Sequence, residues 1–259
     1  MRLDMQGKAA PGALPNPACS TQASEAFHAV AHDLVAANRI LAGLGVLDGF
    51  GHVSARHPDH PERYLLSQSC APEVVCFDDI MTFDLGSRPA EGDARTPYLE
   101  RFIHGRIYAA RPDVYAIVHS HAPAVVPFAA SNVPLAPIYH MSSFLGRGAP
   151  VFEMRDHFGM TDLLVRNDEQ ATRLAESMAE AAVVLMRGHG FCAVGRDLPE
   201  AVFRAHYTQQ NADIQQRAIA LGGTVDYLDA RECELATETN RQVMARPWGL
   251  WRARFAVAP

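Results

Sequence analysis

The apolar run Val114-Tyr115-Ala116-Ile117-Val118 passes directly into His119-Ser120-His121, and no other stretch limits the fold of this chain as tightly. Read as a strand, the run needs cover from water, so helices or further strands must pack over it. Side chains alternate faces along a strand, so residues two apart project the same way, about 6 to 7 Å apart along the backbone. His119 and His121 therefore aim at one point.

A third imidazole comes much later. Val183-Val184-Leu185-Met186 reads as another buried strand and runs into Arg187-Gly188-His189-Gly190 before Phe191-Cys192-Ala193-Val194 resumes as strand. The flanking glycines permit a sharp turn that exposes His189 at a strand end. Three neutral imidazoles with an open position are the ligand set of a catalytic metal site, because structural zinc is normally closed by four protein ligands. One divalent ion per subunit, Zn, Mn, Fe or Co, suits such a set, and ligand type alone does not choose among them. The alternative is that these are ordinary hydrogen-bonded histidines. Cys192 is either an extra soft ligand or a small buried hydrophobe.

At 259 residues the chain has enough length for one domain with a sizeable core. Hydrophobic residues make up 48% and charged residues 20%, and the net charge of -6 is dispersed, which gives no footing for nucleic acid. No apolar run approaches the ~20 residues of a membrane span, and no signal pattern opens the sequence, so the expectation is a cytoplasmic protein. The five cysteines form no C-x-x-C pair and are odd in number, consistent with a reducing compartment.

Residues 1–20, rich in Ala, Pro and Gly without periodicity, are expected to form a flexible arm ahead of a single domain over 21–259. A long amphipathic helix should follow Ser24 as N-cap and end near Gly43 to Gly45. Residues 49–56 are expected to form a turn opening a short strand, with further short strands at 64–67 and 80–84. A helix is expected from Tyr98 to Ala110, stopped by Arg111-Pro112. Residues 159–179 read as helix interrupted near Asn167, 198–221 as a further helix, and the remainder as a helical tail. The pattern is helices flanking a mostly antiparallel sheet.

Three strings in order, G-H-V-S-A-R at 51–56, R-P-D-V-Y-A-I-V-H-S-H-A at 111–122 and R-G-H-G at 187–190, resemble the class II aldolase/adducin superfamily over roughly residues 25–225. The resemblance implies an α/β three-layer α/β/α sandwich around a mostly antiparallel sheet. It also implies a divalent metal on His119, His121 and His189, and a homotetramer with active sites at subunit interfaces. It assigns Glu100, 19 residues before His119, as the group that moves protons to and from carbon. Spacing alone would equally allow a solvated helix-face carboxylate, or an ion pair with Arg101 or His104.

The departures from the family pattern are as telling. Phosphosugar members bind phosphate through a Thr-Gly turn and a Ser-Ser pair; here those positions are Ser69-Cys70 and Tyr98-Leu99, which replace small hydroxyls and a glycine amide with bulk. The family's asparagine in G-N-V-S is His52, and the tyrosine given by a neighbouring subunit aligns with His140. These changes suggest a small, planar, anionic substrate met by imidazoles at His52 and His140, with Ser69 and Tyr98 lining its site. Arg56, Arg147, Arg155 and Arg187 are candidates for a carboxylate partner. The resemblance extends to decarboxylases of hydroxylated aromatic or pyridine dicarboxylates. An aldolase on a nonphosphorylated substrate, an Fe(II) oxygenase and a non-catalytic adducin-like module are the other readings.

Overall fold

The computed structural model describes residues 24–256; the arm expected over residues 1–20 lies outside them. Seven strands build one sheet: β1 (His52–Arg56), β2 (Arg63–Ser67), β3 (Ile80–Asp84), β4 (Ala116–Ser120), β5 (Val151–Phe152), β6 (Val183–Met186) and β7 (Gly190–Gly195). Their order is β3-β2-β1-β4-β7-β6-β5, antiparallel throughout except for the β5–β6 pair. The strand that ends in the His pair is thus the central one.

Among the described residues eight α-helices accompany the sheet: α1 (Glu25–Gly43), α2 (Arg101–Ala110), α3 (Val126–Ala130), α4 (Arg155–Phe158), α5 (Asp168–Met178), α6 (Leu198–Ala220), α7 (Ala230–Val243) and α8 (Ala245–Phe255). Strand alternation divides the interior into two cores. Ala116 and Val118 of β4 pack with Leu34 and Ile40 of α1, Phe203 of α6 and Trp251 of α8. Ile117 packs on the other face with Ile103 and Ile107 of α2 and Leu174 of α5. His119, two residues beyond Ile117, falls on the α2 side by the same alternation. The three-layer sandwich is therefore in place, and its layering selects which helix can meet the histidines. No described helix is long and apolar enough to cross a membrane.

Two expected helices differ from the structure. The one expected from Tyr98 begins at Arg101, because Pro97 is bridged to Gln68 at the sheet edge and Tyr98 is held by hydrogen bonds to Ser67 Oγ and to both backbone groups of Cys70. Glu100 thereby becomes the N-cap residue, with no capping hydrogen bond from its side chain. The other expected helix, 159–179, starts only at Asp168, where the Asn167 side chain accepts from the Gln170 N–H at 3.0 Å. Residues 159–167 instead form a loop in which Leu163 adopts φ 69°, a conformation rare for a branched residue.

Candidate metal centre

β4 and the turn between β6 and β7 bring His119, His121 and His189 together. His121 Nε2 lies 3.0 Å from His119 Nε2 and 3.0 Å from His189 Nε2. Glu100 Oε2 joins them, 3.6 Å from His119 Nε2 and 3.3 Å from His189 Nε2, and the four ligand atoms lie within 4.8 Å of one another. Gly190 makes this approach possible. A Cβ there would sit 2.1 Å from the Ser120 carbonyl oxygen, so only glycine fits beside the end of β4.

The hydrogen bonds around the rings settle which nitrogens face the centre. His119 Nδ1 lies 3.1 Å from the Phe191 carbonyl, and His189 Nδ1 lies 3.0 Å from the Leu163 carbonyl. A carbonyl can only accept, so both Nδ1 atoms carry hydrogen and both Nε2 lone pairs point inward. One N–H on His121 can serve only one of these two lone pairs, and the rest would repel at such spacing. A cation between them removes the conflict. Metal–nitrogen bonds of about 2.0–2.1 Å put neighbouring ligand atoms roughly 3.3 Å apart, close to the observed spacing. The residues present therefore fit a divalent metal.

Electrostatics agree. Burial, with help from neighbouring His119 and His189, pulls His121 down to about 4, which keeps it neutral and ligating at pH 7. Burial would raise the Glu100 pKa; protonated His119 and His189 would outweigh it through hydrogen bonds and charge and hold the carboxyl well below the usual range, and a cation seated on neutral imidazoles would supply the same positive charge. Its other oxygen, Oε1, accepts from the Val165 N–H at 2.9 Å. Loop 159–167 thus orients two of the four groups at once, His189 through Leu163 and Glu100 through Val165.

The ion-pair alternatives for Glu100 do not occur. Arg101 donates to the Ser87 and Tyr98 carbonyls, and His104 turns toward His52. Cys192 is no ligand either: its Sγ sits 3.5 Å from His119 Nδ1, on the side of the ring away from the centre, and burial pushes the thiol up.

The centre opens into a cavity of about 370 Å³ whose lining includes Phe50, His52, Ser69, Cys70, Tyr98, Leu99, Glu100 and Leu164. His52, Ser69 and Tyr98, expected at the substrate site, line this cavity. The arginines do not. Arg56 donates to the Val114, Pro61, Tyr108 and Arg111 carbonyls, and its guanidinium lies over the Tyr108 ring, so it braces the end of β1. Arg187 and Arg155 both pair with Glu153, and Arg147 lines a separate cleft with Ser143, Glu180 and Arg241. His140 is exposed and absent from this cavity; its carbonyl accepts from Asn240 Nδ2 at 2.7 Å.

Sequence reasoning gave His104 no role beyond an ion pair with Glu100 and gave Tyr108 and Ser54 no site role, yet the three form a buried polar chain beside the centre. A signal existed: Glu100, His104 and Tyr108 are spaced four apart and share one face of α2.

A fold of this layering, with imidazoles from a central strand and a Gly-His-Gly turn, finds its match in the Class II Aldolase and Adducin N-terminal domain, whose family model covers residues 32–216, and the chain belongs to that family. Among its relatives, the decarboxylase tropJ of Talaromyces stipitatus is 36% identical over 229 residues, covering 80% of this chain and 86% of that protein. The 3,4-dihydroxyphthalate decarboxylase of Arthrobacter keyseri is 31% identical over 225 residues, covering 80% and 87%. An aldolase II superfamily protein of Pseudomonas syringae superposes with a TM-score of 0.75 at 21% identity, covering 90% of this chain and 94% of its own, and shares the fold.

Proposed function

We propose that the protein is a metal-dependent lyase that removes CO2, without oxidation, from a hydroxylated aromatic or pyridine (di)carboxylate. The observation that carries this reading is the junction of the His119, His121, His189 and Glu100 cluster with a cavity walled by Phe50, Tyr98, Leu99 and Leu164. Tyr98, which the family resemblance sets at a phosphate-binding position of phosphosugar members, has its hydroxyl bound to the Cys70 backbone. Apolar walls suit a flat ring better than a sugar phosphate, whose phosphate calls for hydroxyls and backbone amides. The names of two relatives point the same way.

A divalent ion held by His119, His121 and His189 would act as a Lewis acid toward the substrate's oxygens. The chain's own residues do the rest. Glu100, kept ionised and held at Oε1 by Val165, takes the proton of the ring hydroxyl as the substrate binds. When the carbon–carbon bond breaks, its electron pair stays on the ring carbon and CO2 leaves. Glu100 or His140 then returns one proton to that carbon, which balances the reaction. Metal-loaded protein incubated with a panel of ortho-hydroxy aromatic dicarboxylates should release stoichiometric CO2 with no O2 uptake. Consumption of O2 would replace this reading with an oxygenase, an aldehyde without CO2 would replace it with an aldolase, and inertness with every substrate would favour an adducin-like module.

The same reading includes a homotetramer in which His140 reaches a neighbour's centre. It is supported by the exposure of His140 and its absence from the cavity of its own chain. Light scattering should give four chains, and mixed assemblies of His140→Ala with Glu100→Gln chains should regain turnover that neither parent has. An active monomer would sink the idea.

A further inference from the structure

Four side chains lead away from the cavity into the core as an unbroken line of hydrogen bonds. His52 Nδ1 lies 2.6 Å from His104 Nε2, His104 Nδ1 lies 2.6 Å from Ser54 Oγ, and Ser54 Oγ lies 2.8 Å from the Tyr108 hydroxyl. Ser54, His104 and Tyr108 are buried. At the open end the His52 ring packs beside Tyr98 and His119, with centroids 4.6 and 5.1 Å away. Its Nε2 has no protein partner among the described residues and is reached from the cavity.

Each link needs one hydrogen, so the line has a direction. Only two directions are consistent. If Tyr108 donates to Ser54, then Ser54 donates to His104 Nδ1, His104 Nε2–H donates to His52 Nδ1, and His52 carries its hydrogen on Nε2. If the line runs the other way, His52 donates inward from Nδ1 and offers a bare Nε2 to the cavity. The second case leaves one hydroxyl hydrogen without an acceptor, that of Tyr108 or, if Ser54 Oγ accepts from both neighbours, that of Ser54, since neither hydroxyl has a further hydrogen-bond partner among the described residues. A buried hydroxyl so stranded costs about 1–3 kcal/mol, enough to fix the direction.

We infer that Tyr108, Ser54 and His104 are positioning residues that lock His52 as its Nε2–H tautomer, so that the cavity presents a neutral N–H donor to a substrate carboxylate or phenolate oxygen. The lock does not compete with the metal ligands for protons. Burial pulls His104 down to about 3 and raises Tyr108 far above its usual value, so these two stay uncharged across the working range. Among the described residues no arginine or lysine lines the cavity. The donor is thus the feature that would separate a dicarboxylate from a monocarboxylate, the second carboxylate being the one it meets. This inference rests on the proposed substrate class, but its first test does not.

Nitrogen-15 histidine spectra of the zinc-loaded protein, with His52 and His104 assigned from His52→Gln and His104→Gln difference spectra, should show both rings protonated at Nε2 near neutral pH. Hydrogen on Nδ1 of His52 would overturn the inference whatever the reaction proves to be. Failure of the substrate panel with Nε2–H established would sink the decarboxylase reading alone. For the ligand, phthalate serves as a probe because it has two carboxylates and no ring hydroxyl. Calorimetry should find it bound about tenfold more weakly by Ser54→Ala than by the unaltered protein, at equal metal content, the loss expected for one hydrogen bond to a charged oxygen. Equal affinity in both, or none in the unaltered protein, would overturn the donor role.

Discussion

Replacing Glu100 by glutamine should leave a folded, metal-loaded protein whose turnover has dropped by about 10²- to 10⁴-fold, the usual contribution of a positioned proton-transfer group. The amide keeps the shape of the carboxylate, and its oxygen can still accept from the Val165 N–H, so loop 159–167 should hold its place. What it cannot do is carry a proton. Three imidazoles remain to hold the ion. Elemental analysis alongside kcat separates the two roles: activity within a few-fold of the unaltered protein would reduce Glu100 to a fourth ligand, and loss of metal together with activity would make ligation its main task.

His121→Ala should cost more. Of the three imidazoles it is the one whose Nδ1 makes no hydrogen bond among the described residues, and it is less buried than His119, so truncation should remove the imidazole with little damage to the fold. Loss of a group that merely orients a ligand typically lowers metal affinity or activity by about 10- to 100-fold, and loss of the ligand itself should exceed that. After dialysis the variant should hold far less than one equivalent of metal, with turnover lost in step, while thermal unfolding of the metal-free forms stays close. Full occupancy in the variant would remove His121 from the ligand set.

How legible this was in the sequence differs from part to part. The strands around His119 and His189 and helices α1 and α6 were readable because burial imposes a period, and a period survives in one dimension. The three imidazoles were readable because strand alternation and a glycine-flanked turn act locally. Loop 159–167 was not: local turns on Thr161 and Asp162 hold it open together with the contacts of Leu163 and Val165 with residues distant in sequence, and those contacts leave no periodic trace. Arg56 misled for a related reason. A guanidinium suits a substrate carboxylate and a cluster of backbone carbonyls alike, and residue type does not say which one the fold brings near. His104 and Tyr108 were visible as a stripe with Glu100, but their partners lie on β1, so the stripe acquired meaning only once the sheet was assembled.

The side chains around the cavity carry one formal charge, the negative one of Glu100. A dianion approaching an empty centre would meet repulsion and no compensating cation from this chain, whereas an ion already seated on the imidazoles reverses the sign of the local field. For a substrate of the proposed class, binding would therefore be ordered in time: metal first, substrate second, and the product, having lost one carboxylate, would leave a field that holds it less strongly than the substrate it came from.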